Sequence, residues 1–143
     1  MFRREPLARR GGFPAGLGPA ADYAVYLQLA RTGEAVYHGH SLVRYRRHDA
    51  NMSHDAALML RMTTEVLRRE KRAAPRALAP SIKSGQRAWR DWYGEQVSEN
   101  LLRDWRHGRR GLRQIRSALT LLRHCPGLVS RRAFQKLTRT LAG

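Results

Sequence analysis

Between residues 89 and 105 the apolar side chains recur at three- and four-residue intervals: Trp89, Trp92 and Tyr93, Val97, Leu101 and Trp105. That spacing puts them on one face of a helix of about five turns, and a face so large has to be covered by other elements. The pattern returns twice. His107-Gly108 interrupts it, Leu112, Ile115, Leu119 and Leu122 form a second stripe, Pro126-Gly127 interrupts again, and Phe134, Leu137 and Leu141 form a third. Three amphipathic helices on short turns predict a helical hairpin or small bundle over residues 81–143. Residues 73–80 hold two Pro and four Ala and read as a linker.

The first 72 residues are organised differently. Residues 11–19 contain four Gly and two Pro and form a loop. A helix is predicted from about Ala20 to Arg31, with Tyr23, Tyr26, Leu27 and Ala30 at helical spacing and Thr32-Gly33 as its stop. Residues 35–46 read as a strand or extended chain, on Val36, Leu42, Val43 and Tyr45. A polar irregular stretch, His48–Ser53, leads to a helix that Ser53 caps and that runs to about Arg72, with Asp55 in its first turn. The expected fold is therefore mostly α with a short β element. A lone hairpin is marginal in water, so this half reads as the end of a larger α/β unit.

Charge narrows the classes further. The chain has 28 Lys+Arg against 11 Asp+Glu, a formal +17. Only Lys71, Lys83 and Lys136 are lysines, and the Arg, Ala, Gly and Leu content fits a GC-rich coding bias. The excess is concentrated downstream: residues 105–143 carry ten Arg/Lys and no acid. Such a tail predicts a solvated helical surface or a basic binding module for nucleic acid or an anionic membrane. The single Cys125 excludes an intramolecular disulfide framework and a cysteine-based zinc site. No run approaches the roughly 18 apolar residues of a membrane span, and no apolar stretch follows Met1 as a signal peptide requires. The expected location is cytoplasmic, with peripheral contact at the inner membrane face.

One group of residues goes beyond composition. Phe2-Arg3-Arg4, Gly11-Gly12-Phe13, Leu17, Asp22-Tyr23, Leu27, Ala30-Arg31, Gly33 and the stretch Val43-Arg44-Tyr45-Arg46-Arg47-His48-Asp49-Ala50-Asn51-Met52-Ser53 follow one another in order and spacing. In this the segment resembles the C-terminal part of the catalytic domain of family-two glycosyltransferases, the inverting enzymes with a GT-A fold. The resemblance covers about a third of the chain and is most specific over Tyr-Arg-Arg-His-x-x-Asn-x-Ser. It implies a C-terminal piece of an α/β GT-A domain over residues 1–72, followed by a basic helical appendage. It also implies a nucleotide-binding half, with an Asp-x-Asp motif, that would lie before residue 1. No Asp-x-Asp occurs in these 143 residues.

The implied chemistry is transfer of a sugar from a nucleotide-diphosphate donor to a hydroxyl of a glycan or lipid-linked acceptor. Inversion needs one carboxylate to take the hydroxyl proton, and Asp22 matches that position. Arg44, Arg47 and His48 would face the diphosphate, and Asn51 and Ser53 would orient substrate or loop. A divalent metal, Mg or Mn, is implied for the complete enzyme and is not expected on this chain alone. Four positions depart from the family pattern: Pro14, Ala21, Ala24 and Gln28 stand where the family carries an acid, a Glu, an acid and an Arg. The chain is thus expected to be inactive alone, as one half of a split enzyme completed by an upstream polypeptide or as a remnant. Without the resemblance, Asp22 reads as a helix N-terminal charge. His38 and His40 would share a strand face as a metal pair, lacking a third ligand. The Trp stripe reads as core or partner-facing surface, and Cys125 as a small buried apolar residue.

Overall fold

The computed structural model describes residues 4–31, 33, 36, 39–41, 43, 44, 46 and 51–130. It is mostly helical. Five α-helices lie in these residues: α1 (Arg4–Arg9), α2 (Ala21–Ala30), α3 (Ala56–Ala73), α4 (Ala79–Arg106) and α5 (Leu112–His124). Residues 126–130 begin a further helical turn. No strand is present among the described residues. The extended stretch predicted over 35–46 falls largely outside them. Its described β-formers, Val36 and Val43, lie exposed. The third predicted stripe, Phe134, Leu137 and Leu141, also lies outside the described residues.

The ends of the helices are set by local chemistry. Asp55, not Ser53, caps α3: its backbone is extended (φ −81°, ψ 90°) and its Oδ1 accepts from the Leu58 N–H at 2.9 Å. Ser53 sits one turn earlier, in the 3₁₀ turn Met52–His54. The predicted linker 73–80 holds the end of α3, a 3₁₀ turn Arg76–Leu78 and the first residues of α4, with Pro80 in the first turn, where a missing N–H costs nothing. His107-Gly108 ends α4 as its composition predicts. Gly108 takes φ 71°, the Gly108 N–H bonds to the Trp105 carbonyl at 3.1 Å and the Arg109 N–H to the Asp104 carbonyl at 2.9 Å, the paired bonds of a Schellman motif. Gln114 then joins α4 to α5, accepting from the Gly111 N–H at 3.0 Å and donating to Asp104 Oδ2 at 2.8 Å.

Two apolar clusters hold these pieces together. The larger takes Ala56, Met59 and Leu60 from α3, Tyr93, Val97 and Leu101 from α4, and Leu121 and Cys125 from the end of α5. The smaller places Leu17, Ala20 and Ala24, from the loop and α2, against Val66 of α3. Tyr23 of α2 meets Trp89 of α4 edge-on, with ring centroids 5.5 Å apart, and Trp89 stacks on Tyr93 at 5.3 Å. At the far end of α2, Arg31 Nε lies 3.4 Å from the buried Glu70 carboxylate of α3. The core therefore draws on both sides of residues 73–80.

Candidate functional site

Asp22 stands in the first turn of α2, exposed, directly after the glycine-rich loop. Gly11, Gly12 and Gly16 of that loop all take positive φ, 75°, 78° and 80°, a conformation that an L side chain rarely adopts. The loop then turns through Gly18–Ala20 into the helix, with Leu17 and Ala20 buried beneath it. Asp22 Oδ1 accepts from the Tyr23 N–H at 2.7 Å, at the positive end of the α2 dipole. Its other carboxylate oxygen is directed by no neighbouring acid of the helix, because Ala21 and Ala24 occupy those positions.

The remaining predicted residues are placed elsewhere. Asn51 is half-buried and its Nδ2 donates to the Arg46 carbonyl at 3.0 Å, so it braces the loop. Ser53 is half-buried in the turn before α3, and Arg44 is exposed. Arg47 and His48 lie outside the described residues, as does His38 of the His38/His40 pair. Asp22 and the Asn51/Ser53 turn belong to different levels of α3. The start of α2 packs near Val66 and Leu67, whereas Asn51 and Ser53 precede Ala56. Ten helical residues, about 15 Å of axis, separate those levels. Among the described residues no three His, Cys, Asp or Glu side chains converge. The metal implied by the resemblance thus has no ligand set among the described residues.

A second surface was not singled out by sequence as outward-facing. The stripe Leu112, Ile115, Leu119 and Leu122 points away from the bundle, and the core contacts of α5 come from Leu121, Thr120 and Ala118 instead. Ile115 and Leu119 of this stripe, with Trp105, line a groove of about 530 Å³ whose other lining includes Arg110, Gln114 and Ala118. The adjacency of Leu121 and Leu122 was the available signal, since neighbouring side chains on a helix point about 100° apart. At the other end of α5, His124 is held below the usual imidazole pKa, first by burial and then by the cations Arg123, Arg90 and Arg61. Burial likewise raises the Cys125 thiol, which leaves it protonated and unreactive.

No helix among the described residues is long and apolar enough to cross a membrane. Neither a protein-family model, nor a curated protein, nor a solved structure matches the chain.

Proposed function

We propose that the chain is the C-terminal part of an inverting, family-two glycosyltransferase, inactive alone, and that it contributes the acceptor-side carboxylate to a complete enzyme. The observation that carries this reading is the presentation of Asp22. An exposed carboxylate opens α2 immediately after a glycine-rich loop, in the order Gly-Gly-Phe, Leu, Asp-Tyr that the resemblance rests on. No ion pair engages it among the described residues, and such a carboxylate can accept a hydroxyl proton as the acceptor oxygen attacks the anomeric carbon. The sugar's bond to the diphosphate breaks on the opposite face, and the charge that develops there calls for cations such as Arg44, Arg47 and His48. Asn51, which follows them in sequence, donates to the Arg46 carbonyl.

Isothermal titration with UDP and GDP in the presence of Mn²⁺ tests this, with the chain alone and then with the polypeptide encoded immediately upstream. Binding only in the mixture is expected. Asp22→Asn in that mixture should leave nucleotide binding intact and reduce sugar transfer by at least a factor of about 100, the contribution of a general base. Absence of nucleotide binding from the mixture, or full transfer by Asp22→Asn, refutes the proposal.

A further inference from the structure

We propose that the outward face of α5, together with Trp105, is a docking surface for an anionic lipid bilayer. The apolar stripe runs the length of the helix and is largely open to solvent: Leu112 is 74 % exposed, Ile115 57 %, Leu119 61 % and Leu122 52 %. Trp105, 53 % exposed, continues it across the groove from the end of α4. The bundle core is complete without these side chains, since α5 packs through Leu121 and Cys125. A stripe of four aliphatic residues and an indole that no described residue covers is more than the scattered exposed apolar residues of an ordinary surface.

Charge selects what the stripe meets. Residues 105–130 carry six Arg and no carboxylate. Arg116 and Arg123 fall beside the stripe on the helical wheel, Arg113 lies further round, and Arg110 edges the groove. A helix lying in the membrane plane has this arrangement: aliphatic side chains enter the acyl boundary, Trp sits at headgroup depth, and Arg reaches the lipid phosphates. A second copy of the chain would oppose arginine to arginine, and the carboxylate nearest them, Asp104, is already engaged by Gln114 and Arg109. A nucleic acid would meet a row of leucines where its interfaces are polar.

Sedimentation of the full chain with vesicles tests the docking, using pure phosphatidylcholine and a mixture with about one-third phosphatidylglycerol. The partition coefficient is expected to be at least about tenfold higher on the anionic vesicles and to fall as salt rises from about 0.05 to 0.5 M. The double variant I115E/L119E should lose at least about tenfold in binding, and R113Q/R116Q several-fold, with both keeping the helical circular dichroism and melting temperature of the parent. Equal binding to both vesicle types, or full binding by I115E/L119E, overturns the proposal. A concentration-dependent dimer abolished by I115E/L119E, without vesicle binding, identifies a second copy as the occupant and overturns it as well. So does a loss of melting temperature in I115E/L119E, because the stripe would then be covered by the chain itself, as by residues 131–143.

Discussion

Gly94 sits where α4 and the end of α5 come closest. A Cβ placed there would lie 2.9 Å from Cys125 Sγ and 3.4 Å from Leu128 Cδ2, inside the distance at which carbon and sulfur repel. Cys125 has little room to yield, since its N–H is bonded to the Leu121 carbonyl and its Sγ lies 3.5 Å from the Arg90 carbonyl. Gly94→Ala therefore sets an overpacking cost of about 1–3 kcal/mol against a helix-propensity gain of about 1 kcal/mol. A net loss of stability is expected on urea titration. In a Cys125→Ala background the sulfur is gone and the sign should reverse, with Gly94→Ala becoming stabilising by up to about 1 kcal/mol. The same region carries a pH response. The His124 pKa is lowered in the folded chain, so the unfolded chain binds more protons at mildly acidic pH. The contribution of this group is fully present above the unfolded value of 6.5 and is lost as pH falls from there towards the folded pKa. Melting temperature should decline between about pH 7 and pH 5, and His124→Gln should flatten that part of the profile. An unchanged slope in the variant would assign the response to other groups.

At the scale of the helices, α3 shows what a cap contributes. Asp55 supplies a side-chain acceptor to its first turn, and its replacement by alanine leaves the Leu58 N–H to water. Asp55→Ala is expected to lower the stability by about 1 kcal/mol. Asp55→Asn, which keeps the acceptor oxygen, should recover most of it, as read from chemical denaturation. Ser53 looked like the cap because it begins a polar-to-apolar transition, and either residue fits a preference scale. Backbone direction made the choice, by folding Met52–His54 into a 3₁₀ turn. The existence of α2, α3, α4 and α5, and the stop at His107-Gly108, were legible because periodicity and glycine act locally. The orientation of α5 was not, because a stripe in sequence does not say whether its partner is in the same chain. The α4 stripe was half legible for a related reason. Trp89, Tyr93, Val97 and Leu101 face the core, whereas Trp92 and Trp105 remain exposed, one lying off the buried face and the other beyond its end. At the candidate site, the carboxylate position was legible through the resemblance. The 15 Å of α3 axis between Asp22 and the Asn51 turn was not, since it arises from how α2 crosses α3.

On the scale of the whole molecule, the larger core cluster decides how the chain can be divided. Composition marks residues 73–80 as a linker, yet Ala56, Met59 and Leu60 upstream share their contacts with Tyr93, Val97, Leu101 and Leu121 downstream. Of the two clusters among the described residues, residues 1–80 alone would keep the smaller, around Leu17, Ala20, Ala24 and Val66. A core that small does not offset the conformational entropy of ordering the segment. The fragment 1–80 is therefore expected to lack a cooperative thermal transition and to show little helical circular dichroism, whereas the full chain melts cooperatively. Mixing it with residues 81–143 should restore helix in proportion to concentration, because α3 would dock on α4 and α5 in trans. A cooperative melt of 1–80 by itself would show two independent units. The distinction bears on Asp22, because the edge-on contact of Tyr23 with Trp89 joins the start of α2 to α4. If the helical region completes the core, it also fixes the carboxylate that opens α2. Trp89→Ala removes a partly buried ring and is expected to cost less than the ~3–5 kcal/mol of a fully buried one; it should then loosen the start of α2 along with the bundle, as hydrogen exchange at the Ala24 and Val25 amides would report.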